Sequence, residues 1–570
     1  MGRSFKAKFS SICPVCSQPI AVEMPVQWAF GNGKKRVVHE SCSTDNALVT
    51  LKKPAWIPNG EQQPIIDYVL RMIADQQQFT VLIKAGPGAG KTATLEYIGA
   101  SVVELWEHQQ LTFKRPPLKY MAFDNEITNE LMRRMTHPWL DISTFHRFGL
   151  DLIKQAWQIQ WREKPDDKLF FLYLDAICPE FNRLKDEQQE QRLKEFRKMK
   201  ALISMAKAHL YKPENLLKQL DGLAEKYDIS LPDADRHGDF YTRLHKLFRL
   251  SIEQRQTVDF DDMLYFPYYY ELEFPQYVMV AGDEWQDQNP IRQWYAKQLH
   301  AQGASVIAVG DEDQAIYGFT GADCESMNTF QRDMAAMVFP LYTCRRIENL
   351  YIIEEAATIA NKIKPRDDAR YGDPIDILTL QAMYRQVTEG DAILSRTNAP
   401  LIEMYFELLR RRMPVVIRGR NIGEGIVELM LELADGSQNL AQVQKRLHEW
   451  EAVQMQKAKK NEMVIAAIND KVQSLAVVCD CFETVQDAME GVQRMFSDNG
   501  NAGQRVILSS THKAKGLEWN RVYLAKWVDG KLMYPHPKVK QEEFVQQEMN
   551  LLFVGITRAK QRLNYFNFEN

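Results

Sequence analysis

The 570-residue chain is too long for one hydrophobic core, and its 45% hydrophobic and 26% charged residues describe a folded protein rather than a disordered one. A formal net charge of −4 gives no global attraction to nucleic acid, although a local basic groove can still bind phosphates. No apolar run approaches the ~20 residues of a membrane helix, the start "MGRSFKAKFSSICPVC" lacks the apolar middle of a secretory signal, and eight cysteines unevenly spread over this length do not read as a disulfide framework, so a cytoplasmic protein without membrane association is expected.

The first predicted element, residues 1–50, carries Cys13 and Cys16 in "CPVC" and His39 and Cys42 in "HESC". Between these pairs, "VQWAFGNGKKRVV" reads as two short strands around a Gly-Asn-Gly turn. Two chelating corners joined by a hairpin form a zinc-ribbon-like layout, in which three thiolates and one imidazole meet the tetrahedral demand of a structural Zn2+. Lys34, Lys35 and Arg36 stand beside it, and the expectation is that the element engages DNA or a replication or repair protein partner. "LKKPAWIPNG" then reads as a linker.

From about residue 61, short apolar strands alternate with helical periodicity, the pattern of an α/β protein with parallel sheets. Strands are expected in "FTVLIKA" and in "YMAF", "YVMVA", "SVIAV", "AILS", "RVIL" and "VYLA", beginning near residues 120, 277, 305, 392, 505 and 522. Two stretches break the rhythm. Charged helical segments such as "KDEQQEQRLKEFRKMKALISMAKAHL" fill 147–257, and 421–500 contains a helix with Ile465, Ile468, Val472 and Leu475 on one face. Both read as mainly helical insertions.

"AGPGAGKT" follows a strand and precedes a helix, the context of a phosphate-binding P-loop. Across Ala85, Gly86, Pro87, Gly88, Ala89 and Gly90, backbone N–H groups can wrap phosphates; Lys91 reaches the terminal ones and the Thr92 hydroxyl can hold Mg2+. "YVMVAGDEWQDQ" ends a second apolar strand in Asp283 and Glu284. Asp283 at such a position can coordinate Mg2+ while Glu284 orients or deprotonates an attacking water, which points to hydrolysis of a nucleoside triphosphate rather than binding alone.

With "TFHRFG" at 144, "VDFDDML" at 258, "GDEDQAIYGFTGA" at 310, "THKAKGLEW" at 511 and "LLFVGITRAK" at 551, the ordered motifs resemble those of the UvrD/Rep/PcrA group of superfamily 1 DNA helicases over residues 55–565. The resemblance implies two RecA-like motor domains, the first at 51–146 and 258–345 and the second at 346–420 and 501–570, each interrupted by one of the helical insertions. It implies ATP and Mg2+ as cofactors, and single-stranded DNA and its junctions with duplex as partners. It further implies translocation from 3′ to 5′ coupled to strand separation, with the shorter second insertion leaving a DNA-stimulated translocase as the alternative. A nucleotide-switched recruitment module is the alternative of another class.

By position in these motifs, Gln62 resembles the glutamine that reads adenine, with Gln63 as the neighbouring choice, and Glu518 is similar to the residue that holds the ribose. Gln314 resembles the γ-phosphate sensor, Arg558 an arginine reaching that phosphate, and Arg345 a second one, with Arg346 as its fallback. Cys344 stands where relatives carry a tyrosine that stacks on adenine. Phe123, Asn125, Thr144, His146, Tyr317, Phe319, Arg396, Asn398, Thr511 and His512 fall where the family touches single-stranded DNA, a track of backbone contacts and stacking rings that grips any sequence. The short loop holding Gln314, Tyr317 and Phe319 would then couple the terminal phosphate to the grip on the strand.

Overall fold

The computed structural model describes residues 53–123, 125–157, 168–226, 231, 234–316, 325–458, 462–496, 505–537, 539–540 and 542–569, with the strand residues 5–6, 11–12, 19–20, 25–31 and 34–39. Its chain divides into two compact units: Met1–Ala85 with Gly90–Glu312 and Tyr317–Leu341, and Gly86–Ala89 with Asp313–Ile316 and Tyr342–Asn570. The division between the two long segments falls at Leu341, a few residues before the boundary expected at 345, because the strand Thr343–Cys344 pairs with Lys364–Pro365 of the second unit.

The first unit is built on six strands: β1 (Thr80–Ala85), β2 (Leu118–Ala122), β3 (Leu140–Thr144), β4 (Met279–Gly282), β5 (Ser305–Gly310) and β6 (Met337–Leu341). They lie in the order β6-β1-β5-β4-β2-β3, and every pairing is parallel. The central strands are buried along nearly their whole length, as strands of a parallel sheet usually are. Helix α1 (Gln62–Ala74) buries Ile65, Ile66, Val69 and Ile73 along one stripe, and α2 (Lys91–His108) follows β1 directly. Parallel strands share one direction, so the ends of β1, β2, β3, β4 and β5 deliver the residues after Ala85, Ala122, Thr144, Gly282 and Gly310 to a single edge. Ligands of such sheets bind at that carboxyl edge.

Between β3 and β4 the described residues are mainly helical, including α3 (Phe145–Trp157), α4 (Asp186–Ala208) and α5 (Phe260–Tyr269). One hydrophobic core runs from sheet residues such as Leu82 and Met121 through Phe148 and Tyr265 to Leu202, Leu244 and Phe248 in these helices. Gly149 lets α3 and α5 approach closely, since a Cβ there would lie 1.9 Å from the Met263 carbonyl oxygen. A buried ionic cluster ties the same helices together. Asp262 in α5 accepts from Lys168 at 2.5 Å and from Lys207 in α4 at 2.7 Å, and Lys168 also donates to the Ser251 carbonyl at 2.6 Å. The two ammonium groups hold the Asp262 carboxyl below its usual range although burial alone would raise it.

The second unit contains β7 (Asp376–Leu378), β8 (Ala392–Ser395), β9 (Val415–Ile417), β10 (Val506–Ser510), β11 (Trp519–Val528) and β12 (Ala559–Phe568). The order is β7-β12-β11-β8-β10-β9, all parallel, with Lys531–Leu532 added antiparallel to β11. Among the described residues, four helices separate β9 from β10: Arg420–Ala434, Leu440–Ala458, α7 (Glu462–Cys481) and Val485–Met495. On α7, Val472 and Leu475 are buried as the periodicity predicts, while Ile465 and Ile468 are half-buried. Helix α8 (Glu542–Ile556) precedes β12.

Near the N-terminus, Pro25–Gly31 and Lys34–His39 pair antiparallel, with Gly31 opposite Lys34, which is the hairpin read from the sequence. Cys13, Cys16 and Cys42 lie outside the described residues, as does the side chain of His39. Among the described residues no group of three or more His, Cys, Asp or Glu side chains is arranged to hold a metal ion, and no helix is long and apolar enough to cross a membrane.

Candidate functional site

The turn after β1 delivers Lys91 and Thr92 into the first turn of α2, whose cap Gly90 has φ +89°, a left-handed conformation suited to glycine. The N–H groups of that first turn make this end of the helix a site for anionic oxygen. The Thr92 hydroxyl donates to Asp283 Oδ2 at 3.0 Å, which brings the two proposed Mg2+ ligands together. Asp283 is 4% exposed. Burial and then the neighbouring Glu284 raise its pKa to about 6, against the pull of Lys91 and the hydrogen bonds it accepts. A buried, under-neutralised carboxylate beside a hydroxyl at a helix N-terminus suits Mg2+, which takes few protein oxygens and keeps the rest of its shell for water and phosphate.

Glu284 follows in a left-handed conformation with φ +50°, and its N–H donates to Asp283 Oδ1 at 2.7 Å. Its carboxylate accepts from the Gln286 amide, whose Oε1 in turn accepts the Asp311 N–H at 2.9 Å. Gln286 therefore links the ends of β4 and β5, a support that sequence reasoning missed although the residue lies inside "DEWQDQ". Gln62 is 1% exposed and donates from Nε2 to Thr94 Oγ1 at 2.9 Å, whereas Gln63 donates to Asp67 at the surface. A Cβ added at Gly90 would be 3.5 Å from Gln62 Nε2, so Gln62, not Gln63, stands beside the P-loop.

In the second unit, Gln314 Oε1 accepts from Arg558 Nη2 at 3.1 Å. Arg558 is 1% exposed and is held by the carbonyls of Val554 and Leu517, at 3.0 and 3.2 Å, and by Thr557 Oγ1 at 3.0 Å. Lys515 donates to the Gln314 carbonyl at 2.7 Å and Asn550 to the Ala315 carbonyl at 3.1 Å, two further supports that the motif reading did not single out. The Arg345 N–H donates to the Gly88 carbonyl at 2.9 Å while its side chain is exposed. Arg346 lies closer in, with its Cβ 2.4 Å from where a Cβ on Gly88 would stand, so this approach requires glycine there. Glu518 pairs with Arg346 at 2.6 Å and with Lys560 at 3.6 Å. Cys344 is fully buried, and burial raises its thiol pKa.

The residues expected to meet DNA divide by environment. Phe123 is half-buried and Asn125 exposed at the start of its helix. Thr144 is mostly buried and its Oγ1 accepts the Arg147 N–H at 3.1 Å, capping α3. His146 is half-buried, 6.1 Å between ring centroids from the half-exposed Phe260, and burial followed by the Arg292 charge lowers its pKa to about 4. Arg396 makes a two-pronged pair with Glu548 at 2.9 and 2.7 Å, and Asn398 donates from its backbone N–H and Nδ2 to Asp470, each at 2.6 Å. Thr511 is fully buried, with its hydroxyl 2.6 Å from Tyr534 Oη and donating to the Ser395 carbonyl at 3.2 Å. The half-buried His512 has its pKa pushed down to about 3, by burial first and then by Arg396 and Lys515. Tyr317 and Phe319 lie outside the described residues.

The model of the UvrD/REP helicase N-terminal domain matches residues 70–335, and that of the UvrD-like helicase C-terminal domain matches 420–569. The chain is similar to DNA helicase II of Rickettsia typhi, 21% identical over 614 residues that cover 85% of this chain and 89% of that protein. It is also similar to the ATP-dependent DNA helicase PcrA of Staphylococcus epidermidis, 25% identical over 387 residues, 60% of this chain and 49% of the relative. F-box DNA helicase protein 1 of Schizosaccharomyces pombe is 26% identical over 305 residues, 51% of this chain and 34% of its own length. With both halves of the motor matched and the P-loop, Asp283 and Thr92 assembled as described, the chain belongs to the UvrD-like family of ATP-dependent DNA helicases.

Proposed function

We propose that this helicase uses ATP hydrolysis to move from 3′ to 5′ along single-stranded DNA and to separate strands at junctions with duplex. Lys91 and the α2 N-terminus bind the phosphates, Gln62 the adenine and Glu518 the ribose. Thr92 and Asp283 would hold Mg2+, which supplies neutralisation of the charge that builds on the transferred phosphoryl group. Glu284 orients and deprotonates the attacking water, held in place by Gln286. Gln314 and Arg558 face the γ-phosphate with Arg345, and release of that phosphate changes what the loop after Gln314 presents to the strand. The observation that carries the coupling is the hydrogen bond from Arg558 to Gln314, because it gives one buried guanidinium a grip on the loop that continues to Tyr317 and Phe319.

On the strand side, Phe123, Tyr317 and Phe319 offer rings to bases, while Asn125, Thr144, His146, Arg396, Asn398, Thr511 and His512 form or orient the backbone contacts. At neutral pH the lowered pKa values keep His146 and His512 uncharged, so their part is hydrogen bonding rather than charge attraction. The deciding experiment is ATP turnover with and without single-stranded DNA for wild type and Lys91→Ala. Strong stimulation of the wild type and loss of turnover in the variant are expected, and indifference to DNA would overturn the reading. A strand-displacement assay with 3′ against 5′ tails tests the direction. Streptavidin displacement without duplex separation would leave translocation alone.

The N-terminal element is proposed to hold one structural Zn2+ through Cys13, Cys16, His39 and Cys42 and to engage DNA or a replication or repair partner, in the cytoplasm. Equal zinc content in wild type and Cys13→Ser/Cys16→Ser protein would remove the metal from this proposal. Unchanged DNA affinity, unwinding and partner recovery after deletion of residues 1–50 would remove the engagement.

A further inference from the structure

One charged side chain at the carboxyl edge of the first sheet has no part in the mechanism above. Arg292 lies in the first turn of α6 (Pro290–Ala301), where its own N–H donates to the Asn289 cap at 3.3 Å. A cation in that turn faces the positive end of the helix dipole, an unfavourable place for a purely structural arginine. Its guanidinium carbon is 4.8 Å from the centroid of the Phe123 ring and 5.9 Å from that of Phe145. The buried Nε has no hydrogen-bond partner, and among the described residues the guanidinium forms no ion pair. Asp287 is the acidic group whose field it feels, and that field does not offset burial, which pushes the Arg292 pKa down to about 10.

This guanidinium has no ion-pair partner among the described residues, and the rings of Phe123 and Phe145 lie beside it. Phe123 lies on one side, and His146, whose own pKa is depressed by burial and then by the Arg292 charge, lies near it with the half-exposed Phe260. A rigid planar donor beside aromatic faces is the arrangement that takes a phosphate oxygen while bases stack on the neighbouring rings. We propose that Arg292 is a DNA-contacting residue that binds a backbone phosphate of single-stranded DNA running past Phe123, the strand supplying the ion-pair partner that no described residue gives it. This rests on the reading that Phe123 and His146 line the path of the strand.

The test is a salt series of anisotropy titrations with a labelled oligothymidylate, using the full chain as wild type, Arg292→Gln and Arg292→Met. Methionine fills the space beside Phe123 without burying a charge, so it protects the test if the glutamine variant misfolds. Removing a cation that neutralises one phosphate flattens the plot of log affinity against log salt by about 0.7 on a single strand. The expected result is that flattening, with affinity roughly tenfold weaker at low salt and a thermal midpoint for Arg292→Met at or above that of wild type. A wild-type salt slope in whichever variant keeps the native circular dichroism overturns the proposal. Failure of wild type itself to bind the oligonucleotide would instead overturn the reading of the strand path.

Discussion

At the scale of single residues, His146 shows how burial beside a cation ties stability to pH. Free histidine titrates near 6.5, and the folded protein holds His146 down at about 4, because charging it would strand a cation beside Arg292 in a partly dry place. As pH falls below about 6.5 the unfolded chain takes up this proton first, so the stability present at neutral pH is lost progressively until pH reaches about 4. Replacing His146 with Gln should reduce the stability lost between pH 7 and pH 4.5 by roughly 1–2 kcal/mol, read from urea midpoints at the two pH values. An undiminished loss would show that the imidazole does not remain neutral in the folded state. Asp283 has the opposite sign: its raised pKa means that stability is lost as pH rises from 3.8 through about 6 in the absence of a cation, a cost that the proposed Mg2+ would offset.

At the scale of elements, the helices between β3 and β4 are joined by an ionic cluster whose members are nearly free of solvent: Lys168 and Lys207 are each 1% exposed and Asp262 is fully buried. Burial pulls the Lys207 pKa down, and the Asp259 and Asp262 carboxylates more than reverse it. The pairs are worth little against an apolar replacement, but removing Asp262 leaves two buried ammonium groups without the carboxylate they share. Asp262→Ala should therefore cost about 3–5 kcal/mol, measured by denaturant unfolding, far more than loss of the exposed Arg249–Glu253 pair, which should cost well under about 1 kcal/mol. Equal small costs would mean that the cluster opens to water. The Arg396–Glu548 pair does for the second unit what this cluster does for the first, fixing α8 to the end of β8 across 152 residues of chain.

At the scale of the whole molecule, binding of nucleotide to the folded state alone must raise its stability. With Mg2+ and a non-hydrolysable ATP analogue at about 100 times its Kd, the gain should be about 2.7 kcal/mol, and Lys91→Ala should remove most of it. A thermal shift that persists in the variant would show that the phosphates are held elsewhere. Running the same series with a guanine nucleotide tests the base: the family resemblance puts an adenine-stacking tyrosine at position 344, and this chain has a fully buried cysteine there, which cannot present a ring to any base.

The parts of this protein that could be read without coordinates are those encoded by neighbours in the chain. Buried parallel strands are apolar on both faces and announce themselves as short runs, so the strands at "YMAF", "YVMVA", "SVIAV", "AILS", "RVIL" and "VYLA" were legible, as was the glycine-rich turn between a strand and a helix. The edge strand β6 carries Pro340 and exposed positions, and β9 has only three residues, so neither gives such a run. The ordered motifs likewise pointed to the two halves of the helicase motor that the family models match. Only the tertiary structure decided that Gln62 rather than Gln63 reaches the P-loop, that Thr511 is buried, that Asn398 and Arg396 are engaged by Asp470 and Glu548, and that the buried Arg292 Nε has no hydrogen-bond partner. The reason is physical: a local pattern sets backbone conformation and which face is apolar, whereas a side chain's partners, its exposure to water and hence its charge state depend on groups that folding brings in from far along the chain.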